Sequence, residues 1–245
     1  MVIKINRRPS SEKGTTNNKE GFFMDKKDTT FAVIGCGQFG GSVVEELARQ
    51  GADVIAIDNN EEVIKKYVNI ATQAIILDST DEEALRSIGI RNIDHVIVGI
   101  GQNIQASILT ALLLKEIGVN KVTVKVVNDY HKKVILKIGA DSVIQPEKDT
   151  GKRLAHQMLS DFVLDYLVLS DNYSIVELLA AGPIVGQTLI DLNIPQRFGI
   201  NIAAIKRRDN IVVPQANTEV KEGDVLLVIG ENKDISEFDH WLLNS

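Results

Sequence analysis

From residue 31 onward, short apolar runs alternate with stretches whose apolar residues recur at helical spacing. The runs are 31–35 (FAVIG), 53–58 (DVIAID), 74–77 (AIIL), 95–101 (HVIVGIG), 121–127 (KVTVKVV) and 142–144 (SVI). Between them the pattern predicts helices over 38–50, 61–68, 81–89, 104–117 and 130–138. Gly51, Gly89, Gly118 and Gly139 stand where these helices should stop, and Asp81-Glu82-Glu83 puts negative charge in the first turn of the third. Strands that are apolar throughout and separated by helices are buried on both faces. That is the mark of a parallel, doubly wound α/β sheet of Rossmann type. Such sheets bind ligands at the carboxyl ends of their strands, which gathers Asp58, Asp78, residues 99–101 and Lys125 around one crevice.

Pro146 interrupts the alternation. A longer helix is expected over 147–164, with Leu154, Met158, Phe162 and Val163 on one stripe. The stripe either packs on its own domain or crosses to a partner subunit. Beyond Asn172 come short alternating runs at 173–180, 199–207, 211–214 and 224–230, with a last helix at 235–243. These make a small α+β domain of roughly 75 residues, less than a dehydrogenase substrate domain needs. The expected organisation is a disordered extension over 1–28, a nucleotide-binding domain over 29–147, a crossover helix and linker over 148–170, and a C-terminal domain over 171–245. The extension is polar, basic at its start and without the apolar centre of a signal peptide, and Met24 is an alternative start.

The densest chemistry lies in Gly35-Cys36-Gly37-Gln38-Phe39-Gly40, placed between the first strand and the first helix. In a GxGxxG turn the first glycine allows the tight bend, the second lets the backbone approach a pyrophosphate, and the third allows close helix–strand packing. The helix start adds free N–H groups and a positive dipole end. Asp58 ends the second strand, roughly 20 residues on, where a carboxylate holds a ribose hydroxyl. A bare GxGxxG is weak, but this strand–loop–helix–strand–Asp context points to an adenine nucleotide. Asp58 suits ATP, ADP or NAD equally.

Other residues carry two readings each. Asp78 either meets an adenine amino group or caps the next helix, and Asn103 is a cap for the helix at 104. Lys125 either neutralises a phosphate or snorkels to solvent. Glu147 is a first-turn acid or, if two subunits meet there, half of a carboxylate pair that needs a cation or proton. Cys36 sits at a helix start, where thiol pKa values fall, so redox sensing is conceivable beside the plainer role of a small loop side chain. The four histidines show no zinc-ligand spacing, and there is no GxSxG elbow.

Bulk properties narrow the classes. A net charge of −6 disfavours nucleic acid and anionic membrane as general partners. No apolar run approaches the roughly 18 residues needed to span a bilayer. A single cysteine rules out an intrachain disulfide and suits a reducing compartment.

The segments FAVIGCGQFGGSVVEELARQG, DSTDEEAL, IRNIDHVIVGIGQNIQASILTALLLKEIGV and KIGADSVIQPEKD resemble the KtrA/KtrC-type RCK regulatory subunits of bacterial potassium uptake channels. YSIVELLA, IDLNIP, FGINIAAIKR and GDVLLVIG resemble the C-terminal domain of the same proteins, so the likeness runs from about residue 29 to the end. The resemblance implies a homodimer that assembles into a homo-octameric ring on the cytoplasmic face of the cell membrane, docked on a pore subunit of the KtrB or TrkH type. It implies ATP or ADP in the crevice, with exchange between them changing ring shape, and no enzymatic activity. By position, Gly35, Gly37, Gln38, Phe39, Gly40, Asp58, Asn59, Asn60, Asp78, Ser79, Ile100, Gly101, Gln102, Lys125 and His131 would line the nucleotide. Glu147 matches the acid associated with an activating divalent cation or sodium. Leu189, Ile190 and Asn201 would meet cyclic di-AMP in the C-terminal domain. Gln38 and Pro195 stand where relatives commonly carry arginine. The competing reading from the fold alone is an NAD-dependent oxidoreductase or a redox-sensing protein.

Overall fold

The computed structural model describes residues 3–5, 29–160 and 162–244. The chain divides into two compact units that meet between Pro146 and Glu147.

In the first unit the parallel strands are β2 (Thr30–Ile34), β3 (Asp53–Asp58), β4 (Gln73–Ile76), β5 (His95–Val98), β6 (Lys121–Lys125) and β7 (Ser142–Ile144). The strand β1 (Ile3–Ile5) precedes them in the chain and pairs antiparallel with β4. The sheet order is β1-β4-β3-β2-β5-β6-β7, so β2 lies between β3 and β5 and the winding direction reverses there. The helices are α1 (Gln38–Arg49), α2 (Glu61–Ile64), α3 (Glu82–Ser87), α4 (Ile104–Ile117) and α5 (Asp129–Ile138). Strand residues alternate between two cores. Ala32, Ile34, Ile55 and Ile57 enter one and Val33, Val54 and Ala56 the other, because successive side chains of a strand point to opposite faces. The doubly wound parallel sheet is thus the observed fold.

Three expectations in this unit need revision. The predicted fourth strand, 95–101, ends at Val98, because Gly99 is drawn onto the glycine-rich loop. Its N–H donates to Ile34 O at 2.7 Å, and a Cβ there would lie 2.7 Å from Gly35 O. The predicted helix over 61–68 stops at Ile64 and tightens into a 3₁₀ turn, Lys65–Tyr67. The disordered extension over 1–28 lies outside the described residues except at Ile3–Ile5, which form β1 instead of coil. β4 would otherwise present an open row of backbone donors and acceptors, and an apolar Ile-Lys-Ile strand can pair with that edge.

The second unit opens with α6 (Pro146–Met158) and continues with β8 (Val163–Val168) and β9 (Tyr173–Leu179). After these come α7 (Leu189–Leu192), α8 (Ile194–Phe198), β10 (Asn201–Arg207), β11 (Asn210–Val212), β12 (Val225–Glu231) and α9 (Asn232–Asn244). Its antiparallel sheet runs β11-β10-β12-β9-β8. Val176, Leu178, Leu226 and Val228 pack with Ile235, Phe238 and Leu242 of α9. The long helix expected over 147–164 is corrected here: it ends at Met158, and 163–168 is a strand. Ser160 causes the break. Its hydroxyl donates to Asp239 Oδ1 at 2.7 Å and accepts from the N–H groups of Phe162 and Val163 at 3.1 and 3.2 Å. Those contacts stop the helix and direct Phe162 and Val163 into the second core. The expected linker over 148–170 therefore contains a strand paired with β9. Among the described residues no helix is long and apolar enough to cross a membrane.

Candidate functional site

The first site forms where the winding reverses. Gly35 turns the chain at φ +86°, and its N–H donates to Ile57 O at 2.8 Å. α1 then packs so closely that a Cβ on Gly40 would fall 2.0 Å from Gly35 O. Gly37 is different. Its φ of −66° suits any residue, and apart from its chain neighbours no described residue lies within 4 Å of where a Cβ would sit. Packing among the described residues therefore does not explain a glycine at 37. Cys36 is buried, and desolvation, then the charge of Asp58, pushes its thiol pKa up to about 12. The lowering expected of a helix start loses to burial, and the thiol stays protonated and unreactive.

Asp58 ties the loop to the strand end. Its Oδ2 accepts from Cys36 N–H at 2.8 Å and its Oδ1 from Asn60 N–H at 2.9 Å. Two carboxylate oxygens offer about four acceptor positions, so capacity remains for ribose hydroxyls. Asp58, Asn59, Asp78, Ser79, Gly101 and Gln102 share a cavity of about 270 Å³. Gly35, Gly37 and Ile100 line it as well. Asp78 does not cap α3. Asp81 does, accepting from Glu83 and Ala84 N–H, while Asp78 Oδ1 accepts from the N–H and hydroxyl of Thr80. These bonds hold the Asp78 carboxyl below its usual range. Asn103 caps α4 by accepting from Ala106 N–H at 3.0 Å, and Asn103→Ala should cost about 1 kcal/mol in denaturant unfolding.

Several expected residues stand outside the lining. Asn60 caps α2, accepting from Glu62 N–H at 2.9 Å. Gln38 is exposed at the first position of α1, and Phe39 and Gly40 pack into or against the core. Lys125 is buried at the end of β6, with Nζ 5.7 Å from the Phe39 ring centroid. A Cβ on Gly101 would come 3.4 Å from that amine, so Lys125 stands just behind the cavity wall. His131 is buried in the first turn of α5. Its Nδ1 accepts from Val127 N–H at 3.4 Å, which puts the neutral ring's proton on Nε2, and Nε2 has no hydrogen-bond partner among the described residues. Burial lowers the His131 pKa and keeps the ring neutral. Thr80 and Ala106 also line the cavity and were not anticipated. Thr80 could have been suspected from Asp78-Ser79-Thr80, since Asp commonly bonds the backbone two residues on.

The second unit holds a cavity of about 340 Å³ that includes Leu189, Ile190 and Asn201. Asn193, Ile194, Pro195 and Pro214 also line it, brought together by the turn between α7 and α8 and the loop after β11. Asn193 adopts φ 48° at that turn, a left-handed conformation that asparagine tolerates. Glu147 lies exposed in the first turn of α6. Among the described residues no group of three His, Cys, Asp or Glu side chains could hold a metal ion.

Comparison with known proteins places these sites in context. Residues 31–146 match the TrkA-N domain and residues 173–243 the TrkA-C domain. The Ktr system potassium uptake protein C of Bacillus subtilis (strain 168) is 52% identical over 216 residues, which cover 88% of this chain and 98% of that one. The Ktr system potassium uptake protein A of the same organism is 48% identical over 215 residues, 87% of this chain and 97% of that one. The chain belongs to the Ktr potassium uptake protein A and C family. A GsuK channel bound to NAD shares the fold, with a TM-score of 0.64 at 16% identity, over 89% of this chain and 40% of that one. In this Ktr-family chain the TrkA-N match holds the whole first cavity and the TrkA-C match the second. Glu147 falls between the two matches.

Proposed function

We propose that this chain is the nucleotide-sensing regulatory subunit of a Ktr-type potassium uptake system. ATP or ADP binds the first cavity, and exchange between them changes the shape of a ring that opens or closes a membrane pore subunit. The observation that carries this reading is the crevice at the winding reversal. Asp58 is set there for a ribose, and beside it Gly37 leaves open the side where phosphates would approach. Among the described residues the lining contains two carboxylates, both accepting hydrogen bonds from the protein, and no imidazole, thiol or amine. Carboxylates already engaged in this way suit ligand binding. At about 270 Å³ the cavity is close to the roughly 300 Å³ at which ligand pockets begin, so a nucleoside fills it and the phosphates extend toward Gly37 and the start of α1.

Gating requires differential affinity. A ligand moves an equilibrium only by the difference in its binding to the two states. Contacts to adenine and ribose supply affinity common to both, and contacts to the terminal phosphate can distinguish them. A tenfold preference is about 1.4 kcal/mol per site, and coupling among subunits sharpens the response. The assembly in this reading is a dimer-based octamer at the inner face of the membrane. In this reading an activating cation at Glu147, which lies with Asp149 in the exposed first turn of α6, would be shared with a second copy's carboxylate. Cyclic di-AMP would occupy the second cavity, against Leu189, Ile190 and Asn201.

Calorimetric titration with ATP, ADP, NAD and NADH in parallel tests the first cavity. Tight ATP or ADP binding is expected. Asp58→Ala should weaken it by tenfold or more, since hydrogen bonds to a charged group contribute about 1.5–3 kcal/mol. Tight NADH binding without binding of the mononucleotides would overturn the gating reading in favour of a redox enzyme.

A further inference from the structure

The glycine-rich loop is gripped on both sides of one residue. Cys36 N–H donates to Asp58 Oδ2 at 2.8 Å, and Cys36 O accepts from the Tyr67 hydroxyl at 3.3 Å. Tyr67 is only 6% exposed and sits on the 3₁₀ turn that continues α2. It reaches the loop beneath α1 because residue 41 has no side chain: a Cβ on Gly41 would lie 2.0 Å from Tyr67 Oη. In a trans peptide the C=O and N–H point in opposite directions. Holding the Cys36 carbonyl toward Tyr67 therefore turns the Gly37 N–H away from it. Desolvation raises the Tyr67 pKa, so the hydroxyl keeps the proton it donates. α2 itself is anchored at Asn60, whose N–H bonds Asp58 Oδ1 at 2.9 Å. The contacts close a circuit from Asp58 through α2 and Tyr67 to Cys36 and back.

We propose that Tyr67 is a positioning residue for phosphate binding: its hydrogen bond to Cys36 fixes the plane of the Cys36–Gly37 peptide and aims the Gly37 amide at a ligand's phosphate. The circuit also links the phosphate end of the site to the ribose end at Asp58. This inference rests on reading the first cavity as a nucleotide site. Tyr67 would never touch the nucleotide, so its effect should depend on the phosphates.

Tyr67→Phe keeps the buried ring and deletes only the hydroxyl. In the full chain, ADP affinity should fall about three- to tenfold, while affinity for adenosine, which lacks phosphate, stays unchanged. In the ligand-free protein the Cys36 amide should exchange with solvent several-fold faster, since a loosened loop breaks its bond to Asp58 more often. Unchanged ADP binding, or equal weakening of ADP and adenosine, would overturn the proposal. If the parent protein bound no adenine nucleotide, the crevice reading would fail by itself and the exchange rate would still decide. Faster exchange at Cys36 would support Tyr67 as the loop's anchor, and an unchanged rate would sink it.

Discussion

Gly40→Ala should destabilise the first unit by about 3 kcal/mol or more, while Gly37→Ala, three residues earlier, should leave its stability within about 1 kcal/mol of the parent. At Gly40 the new Cβ meets Gly35 O at 2.0 Å and Gly35 C at 3.0 Å, backbone atoms that cannot rotate aside as a side-chain end could. Relief requires α1 to move off β2, which opens the core around Val33 and Val44. Alanine's better helix propensity offers about 1 kcal/mol against this, so the clash wins. At Gly37, apart from the chain neighbours, no described residue stands within 4 Å of the new methyl. Alanine is a poorer N-cap than glycine, but it also reduces the freedom of the unfolded chain, and the two terms nearly cancel. The methyl would occupy the space a phosphate needs, so nucleotide affinity should fall by at least tenfold in a protein that still folds. Denaturant unfolding and calorimetric titration of both variants decide this. A Gly40→Ala protein as stable as the parent would mean that the loop can shift. Unaltered nucleotide binding by Gly37→Ala would mean that the phosphates do not pass there.

The parallel sheet and the Asp58 crevice were legible because their causes are local. Most strands hold short apolar runs, each helix is bounded by a cap or glycine, and the loop residues are adjacent in sequence. The break after Met158 was not legible. Leu154, Met158, Phe162 and Val163 keep helical spacing, and short apolar runs do not separate helix from strand by periodicity. What decides is the hydrogen bond from Ser160 to Asp239, 79 positions away. Tyr67 escaped for a similar reason, as its hydroxyl acts on a carbonyl 31 residues distant. Lys125 was placed at the crevice by its strand end and by resemblance, and His131 by resemblance alone, yet both are buried outside the cavity lining. Neither strand position nor helix position could show that. Cys36 illustrates a contest of effects, in which a helix dipole favours the thiolate and complete burial beside Asp58 overrides it.

In the second unit the largest loss should follow Arg207→Met, about 3–5 kcal/mol at neutral pH. Asp224 is 1% exposed and its carboxylate is held by a two-pronged contact, Arg207 Nε to Oδ1 at 2.8 Å and Nη2 to Oδ2 at 2.7 Å. Lys221 N–H adds a bond to Oδ2 at 2.9 Å, and Arg207 Nη2 also reaches Glu219 O at 2.9 Å. The pair joins the end of β10 to the start of β12. Removing the guanidinium leaves a buried charge with one remaining N–H. Asp224→Asn should cost less, about 1–3 kcal/mol, because the orphaned group is then Arg207, which is 30% exposed and can turn to water. The pH dependence distinguishes the two cases. In the parent protein the Arg207 hydrogen bonds, followed by Lys221 N–H, hold the Asp224 carboxyl below its unfolded pKa of roughly 3.9. Its contribution is therefore present above that pH and lost as pH falls through the lower folded value. In Arg207→Met the sign reverses. Burial without a partner raises the carboxyl's pKa, so the folded variant is favoured in acid and loses stability as pH rises. The stability gap between parent and Arg207→Met should thus be widest near pH 7 and narrow toward pH 4. A gap that stays constant across that range, or one smaller than that of Asp224→Asn, would show that the ion pair does not hold these strands together.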